Sequence, residues 1–137
     1  MTNQLTRRAS LAAILLIALT PALFAAKASE TRLRSTLAGG AITGMTPSGH
    51  ADYRSIPAQG RMRLNVEVES VNLPAGTVLD VFIDDAKVGS ITIGPAPIRG
   101  GELELNSQDG QVVPTVKPGA VVVVRSATTA ILSGVLN

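Results

Sequence analysis

The segment RMRLNVEVES, residues 61–70, alternates polar and apolar side chains from Arg61 to Glu69. Methionine, leucine and two valines fill the even positions from 62 to 68, and arginine, asparagine and glutamate fill the odd positions. A period of two residues predicts a β-strand with one buried face and one wet face, as in an antiparallel sheet. This stretch decides the fold class.

Short strands with similar patterns are predicted on both sides of it. AVVVV at 120–124 is apolar on both faces, which predicts a central strand or one covered by a partner. Clusters of glycine and proline separate the strands, and no sustained helical period occurs after residue 28. We therefore predict an all-β fold, an antiparallel β-sandwich of immunoglobulin-like or Greek-key type with seven or eight strands. The other predicted strands are 31–37, 50–55, the two arms of 78–93, 101–105 and 129–136.

Residues 1–28 have the three-part layout of a secretory signal peptide, which we expect to be helical. Arg7 and Arg8 provide a basic start, LAAILLIALT is an apolar stretch, and small residues at Ala26 and Ala28 suit a signal peptidase. Cleavage is predicted before Ser29, which leaves residues 29–137 as a single domain. Export by the general secretory route or the twin-arginine route fits this start. The mature chain is predicted to be periplasmic or extracellular, with no membrane contact beyond the cleaved segment.

Removal of the leader changes the charge balance. The full chain has 12 basic and 10 acidic residues, and three basic residues (Arg7, Arg8 and Lys27) leave with the signal peptide. Nine basic residues then face ten acidic ones, so no basic stripe for nucleic acid is expected. The chain has no cysteine, which excludes disulfides, a lipid-anchored cysteine and thiolate metal sites.

Adjacent aspartates interrupt VLDVFIDDAKVGSITI, residues 78–93, between two alternating runs. Asp80, Asp84 and Asp85 are the candidate ligands of a calcium ion. An extended strand, however, separates Asp80 from Asp84 by about 13 Å. We therefore predict that the aspartate pair is a hairpin bend, with Asp84 at the first turn position and its carboxylate accepting the turn's own amides.

His50 is the single histidine, and it is a candidate metal ligand or proton carrier. Copper–zinc dismutase-like or cupin-like sites need several histidines, and no GxSxG motif supplies a nucleophile. Charged residues on the strands are interpreted as solvated cross-strand pairs rather than a glycosidase carboxylate pair. They are Arg61, Arg63, Glu67, Glu69, Glu102 and Glu104.

Tyr53 and Phe82 are the aromatic residues after position 28, and tryptophan is absent. Modules that stack rings on sugars or on single-stranded nucleic acid are therefore disfavoured. Phe82 shares its strand face with Val78 and Asp80, opposite Leu79, Val81 and Ile83. One of these sets is expected to face the core, and the other to form a partly apolar outer patch.

Two internal stretches are similar to each other. PAGTVLDVFIDDAKVGSITI (74–93) aligns with PGAVVVVRSATTAILSGVL (118–136) at an offset of 43 residues, with one gap. Both combine a Pro/Gly turn, an apolar strand, a short bend and a second strand. The bend of the second copy carries Ala127 and Thr128, so acidic residues are not required for such a bend. We interpret the similarity as repeated hairpin architecture.

VESVNLPAGTVLDVFIDDAKVGSITI (68–93), followed by GELELNSQDGQVVPTVKPGAVVVVR (101–125) and ILSGVL (131–136), resembles small exported bacterial proteins of unassigned function. The same pattern of strand and turn residues, over residues 61–136, is more distantly similar to the CHRD domain named from chordin. The resemblance implies a CHRD-like all-β fold. A histidine-rich segment associated with CHRD domains has no counterpart here, so no functional residues are carried over.

These observations predict an exported, non-enzymatic module without cofactors that acts through its surface, in adhesion, matrix or envelope-protein binding. One alternative is a self-assembling envelope or fibre subunit, in which the extended segment SETRLRSTLA (29–38) joins a neighbour's sheet. A second alternative is a periplasmic carrier of a small ligand or metal that uses His50 or the acidic hairpin.

Overall fold

The computed structural model describes residues 29–137, and the predicted signal peptide at 1–28 lies outside this range. Eight strands account for most of the described chain, as the alternation predicted, and two three-residue 3₁₀ turns accompany them. The strands are β1 (Thr31–Ala38), β2 (Ser48–Ile56), β3 (Arg61–Glu69), β4 (Val78–Ile83), β5 (Ala86–Thr92), β6 (Gly101–Asn106), β7 (Ala120–Ser126) and β8 (Thr129–Leu136). The all-β prediction is therefore confirmed, with strand limits within a few residues of the expected ones.

All eight strands belong to one antiparallel sheet in the order β5-β4-β7-β8-β1-β2-β3-β6. The end strands β5 and β6 approach each other, so the sheet nearly closes into a barrel. At this seam the Gly94 amide donates to the Gly100 carbonyl over 2.8 Å. An antiparallel sheet is confirmed, whereas a division into two separate layers stays a prediction.

The even-numbered residues of β3 face the core as expected: Leu64, Val66 and Val68 are completely inaccessible to solvent, and Met62 is half-buried. Tyr53 on β2 lies opposite Leu64 and is also inside, with 2% of its surface exposed. Aliphatic side chains from the other strands fill the rest of a single core. Burial of such side chains stabilises the fold by about 1.5–3 kcal/mol each. The largest inaccessible ones include Leu37, Leu79, Ile91, Ile93, Leu132 and Leu136.

The segment 31–38 forms β1, which lies between β2 and β8 in the middle of the sheet. Its backbone is paired with β2 along its whole length, and Arg34 exchanges two backbone hydrogen bonds with Asn137, of 2.9 and 3.1 Å. The segment predicted to add to a neighbour's sheet is thus used as a central strand of its own sheet.

The β4–β5 and β7–β8 hairpins repeat each other in three dimensions. Their ladders slip at equivalent points, between Val81 and Phe82 and between Val124 and Arg125. The slip in β7 lies 43 residues after the slip in β4, and 43 residues is also the offset at which the two hairpin sequences align. β4 and β7 are antiparallel neighbours, and Val81 lies directly opposite its own equivalent, Val124. The four strands β5-β4-β7-β8 are therefore arranged around a local pseudo-two-fold axis at this pair.

Candidate functional site

Arginines from three neighbouring strands lie side by side on the outer face of the sheet. Arg32 on β1 is in register with Arg54 on β2, and Arg54 is in register with Arg63 on β3. Neighbouring strands are about 4.8 Å apart, so the three backbone positions span about 10 Å. Arg34 and Arg61 extend this set along β1 and β3. We call these five residues the arginine row.

Alternation explains why the arginine row faces solvent. On β1, Leu33, Ser35 and Leu37 point inward, so the residues at 32 and 34 must point outward. The same parity exposes Arg54 on β2 and Arg63 on β3. The sheet therefore gathers side chains that are up to 31 positions apart in sequence.

Three carboxylates neutralise part of this charge. Glu30 accepts from Nε of Arg32 and, at 2.7 Å, from Nε of Arg54. Asp52 lies 2.9 Å from Arg34, and Glu104 lies 2.7 Å from Arg63. Five positive charges against three negative ones leave the surface with an excess of two. Glu67, Glu69 and Glu102 lie farther along the same face, so the positive charge is confined to the end that holds the arginine row.

Glu30 remains ionised at the arginine row. Its hydrogen bonds from the side chains of Arg32 and Arg54 lower the pKa of the Glu30 carboxyl below its ordinary value. Each guanidinium stabilises the negative form of the acid more than the neutral form. The row thus already holds a carboxylate, supplied by the chain itself.

Two shallow depressions of about 240 and 260 Å³ adjoin the arginines. Amide side chains of Asn65, Asn106 and Gln108 line them together with the guanidinium groups. Asn65 Nδ2 donates to Glu102 over 2.7 Å. Its Oδ1, in contrast, is buried and receives no hydrogen bond from residues 29–137. This buried oxygen is out of reach of a ligand, so the depressions offer the guanidinium groups and the amides of Asn106 and Gln108.

The sequence analysis missed the arginine row, while its expectation that no nucleic acid binds stays a prediction. That expectation rested on the net charge, which adds up side chains regardless of where the sheet puts them. A usable signal was present, because Arg32/Arg34 and Arg61/Arg63 each repeat at the period of a strand face. The third strand and the register could not be obtained from local spacing.

His50 lies on the same outer face, four residues before Arg54 on β2, or about 13 Å along the strand. Its Nε2 is 3.3 Å from Glu67 on β3, and both side chains are partly exposed. Glu102 is in register with Glu67 on the far side, so this end of the face is acidic. Within residues 29–137, no three histidine or acidic side chains converge to hold a metal ion.

Asp84 and Asp85 form the two-residue turn between β4 and β5, which confirms the predicted bend. Their φ angles of 48° and 65° are both left-handed, which fits a type I′ hairpin turn. Asp84 occupies the second turn position rather than the predicted first one. Its carboxylate accepts from the Val121 amide on β7 at 2.9 Å, and not from an amide of the turn. Asp85 reaches Arg125 at 3.5 Å.

Asp80 is separated from this turn and makes local contacts across the hairpin. Its carboxylate lies 3.0 Å from Nζ of Lys87 and accepts from the Ser90 hydroxyl at 3.1 Å. The Lys87 ammonium, followed by the Ser90 hydroxyl, lowers the pKa of Asp80 from its ordinary 3.8. The three hairpin aspartates thus contact three different groups of partners.

The outer patch predicted for β4 is present. Leu79, Val81 and Ile83 are buried, and the other set faces outward. Arg125 covers the Phe82 ring, with its guanidinium carbon 4.4 Å from the ring centre. Exposed valines extend the apolar surface along β4 and onto β7 and β8: Val78, Val121 and Val135.

Neither the known protein-family models nor the curated proteins contain a match to this chain. The similarity to CHRD domains therefore stays a prediction. In the described part of the chain, neither short 3₁₀ turn is long and apolar enough to cross a membrane.

Proposed function

We propose that this chain is an exported, non-enzymatic β-domain that binds an anionic partner through its arginine row. A role in adhesion, matrix or envelope binding follows from this chemistry. The observation that carries the proposal is the register of Arg32, Arg54 and Arg63, which brings three guanidinium groups together on a chain with a slight excess of acidic residues. Export rests on the signal-peptide pattern of residues 1–28, and a periplasmic or extracellular location belongs to the same proposal.

The arginine row suits a surface-binding role because its groups are exposed and chemically matched to anions. Guanidinium groups donate several hydrogen bonds in a fixed planar arrangement, which fits carboxylate, phosphate and sulfate oxygens. Aromatic stacking on bases is not supported, because Tyr53 next to the row points into the core. Charge recognition without stacking favours a partner other than single-stranded nucleic acid.

The arrangement of the strands into two layers is also a proposal. The two four-stranded halves, β5-β4-β7-β8 and β1-β2-β3-β6, each contribute to the one core. A flattened barrel in which these halves act as the two layers would agree with the predicted sandwich and with kinship to CHRD domains. Such a scaffold holds a flat, rigid outer face for a partner.

Binding to immobilised anionic polymers at increasing salt concentration tests the function. We expect retention that weakens as salt rises, because exposed charges are screened. The variant Arg54→Gln/Arg63→Gln removes two row members and should weaken binding by about tenfold or more. Lys117→Gln/Arg125→Gln removes the same charge elsewhere and serves as the matched control. Equal loss in both variants would show that only net charge matters and would refute the proposal.

Self-association is tested on the same samples. Light scattering over a concentration series should give a monomer, since β1 already has two neighbours in its own sheet. Concentration-dependent growth would instead favour the assembling-subunit alternative. If the carrier alternative is wrong, metals and small ligands should produce the same thermal shift in His50→Ala as in the parent protein, whereas a shift lost in the variant would favour that alternative.

A further inference from the structure

The positive charge of the arginine row is compensated unevenly between the two depressions. The depression of about 240 Å³ includes Asp52 in its wall, and this carboxylate pairs with Arg34. The depression of about 260 Å³, which we call the second depression, has Arg54, Arg61 and Arg63 in its wall and, among residues 29–137, no acidic side chain. An anion that enters the second depression therefore meets guanidinium groups and no wall carboxylate.

Arg61 differs from the other members of the row because it makes no ion pair within residues 29–137. Arg54 is paired with Glu30, and Arg63 is paired with Glu104. The Arg61 side chain is exposed at the first residue of β3. An external carboxylate can bind it without breaking an existing ion pair, so the second depression is the part of the row best suited to an anion.

The second depression also has apolar side chains in its wall. Ile56 lies opposite Arg61 in the register of β2 and β3, and it is buried although it does not belong to the main core cluster. Met62 is half-buried and packs against that core, and its exposed part gives the depression apolar surface beside the guanidinium of Arg61. An inorganic anion would leave this surface in water, whereas an anion joined to an apolar group would cover it.

Two 3₁₀ turns fix the remaining wall. The Ser107 hydroxyl accepts from the Met62 amide over 2.9 Å and donates to the Gly60 carbonyl over 3.0 Å, so it ties the two turns together. Side-chain amides of Asn106 and Gln108 line the depression at this point. Such amides both donate and accept hydrogen bonds, and they therefore suit a ligand with a peptide group next to its charge.

We infer that the second depression binds the C-terminus of a partner protein whose last side chain is apolar. This inference rests on the proposed function and names its anionic partner. The terminal carboxylate would pair with Arg61, the last side chain would cover Met62, and the last peptide group would meet the amide of Gln108. A chain terminus carries these three groups on neighbouring atoms.

Other anions match the second depression less well. A fatty acid has the charge and the apolar chain but no peptide group for the side-chain amides. A polyanion or an anionic membrane can be held at the row, but its length also brings negative charge to Glu67, Glu69 and Glu102 farther along the face. A single terminal charge avoids this repulsion.

Titration calorimetry with short ligands tests the inference, using the protein in the form that expressing cells deliver. The probe is the peptide acetyl-Ala-Ala-Leu with a free carboxylate, and it is compared with its C-terminal amide, with acetyl-Ala-Ala-Ser and with octanoate. We expect the free leucine peptide to bind about fivefold tighter than each of the others, or more. Equal binding of the amide or of the serine peptide would overturn the role of the terminal charge or of the apolar side chain. Tighter binding of octanoate would overturn the protein terminus in favour of a fatty acid.

Substitutions test the position of the site. Arg61→Gln should weaken binding of the leucine peptide by about fivefold or more, and Arg34→Gln, which removes the same charge beside the other depression, should weaken it less. Equal effects of the two variants would overturn the assignment to the second depression. Gln108→Ala should weaken binding of the leucine peptide and leave that of octanoate unchanged, and equal losses would contradict a contact with the peptide group.

Failure of this inference and failure of the proposed function give different results. If no peptide binds while anionic polymers are retained by the parent protein and lost from Arg54→Gln/Arg63→Gln, the row binds an anionic partner and only the chain terminus is overturned. Loss of polymer retention by the parent protein refutes the proposed function itself.

Discussion

Substitution of Gly134 by alanine should loosen the junction between the two halves of the sheet. Gly134 on β8 faces β1, and a methyl group built on it would lie 2.5 Å from the Thr36 carbonyl oxygen and 2.9 Å from a Leu37 methyl. The Ser35 hydroxyl oxygen would be closer still and would also clash with the methyl group. A carbon atom cannot approach backbone oxygen this closely, so β1 must move away from β8.

The expected cost follows from overpacking of a filled interior. Forced shifts of this kind destabilise a protein by about 1–3 kcal/mol. For a domain of this size, such a loss lowers the melting temperature by about 4–12 °C. Differential scanning calorimetry and urea unfolding, at a pH where the parent protein unfolds reversibly, should agree on the difference.

Two companion variants make the experiment specific. Gly40→Ala adds the same methyl group where nothing lies within 4 Å, and should change stability by less than about 0.5 kcal/mol. Ser35→Ala/Gly134→Ala removes the hydroxyl but keeps the Thr36 carbonyl, so rescue should be partial. If Gly134→Ala were as stable as Gly40→Ala, the close approach of β1 and β8 would be refuted.

Three further predictions concern the core, the hairpin charge and the hairpin turn. Leu64→Ala should lower the free energy of unfolding in urea by about 2–5 kcal/mol, because the side chain is completely buried, whereas Val112→Ala at an exposed loop position should have little effect. Asp80→Asn should lower the melting temperature above pH 3.8, because Lys87 depresses the pKa of Asp80 in the folded state. The difference from the parent should shrink as the pH falls through that depressed pKa, and a constant difference from pH 2 to 6 would contradict the ion pair. Asp85→Gly should raise stability by about 0.5–1 kcal/mol, because glycine adopts the left-handed φ of 65° without strain; a lower melting temperature would contradict this.

The strands and their buried faces could be predicted from local alternation, as at Leu64 and Val66, because sheet burial follows a period of two. The hairpin turn at Asp84 was also predictable, although its hydrogen bond to Val121 was not, since that strand lies 37 residues away. The arginine row depends on the pairing of β1, β2 and β3 and on their register. Local spacing shows that Arg32 and Arg63 each face outward, and only long-range pairing shows that Arg54 lies between them.

The pseudo-two-fold arrangement of the two hairpins carries a risk of mispairing between molecules. A β4 strand that met β4 of another molecule about Val81 would reproduce the geometry of its contact with β7. The side chains discriminate against this, because Asp80 would then oppose Phe82 instead of Arg125. The stacking of Arg125 on Phe82 would also be lost. The side-chain differences between β4 and β7 therefore favour pairing of β4 with β7 of the same chain. They disfavour pairing of β4 strands from two molecules, which would lead to aggregation.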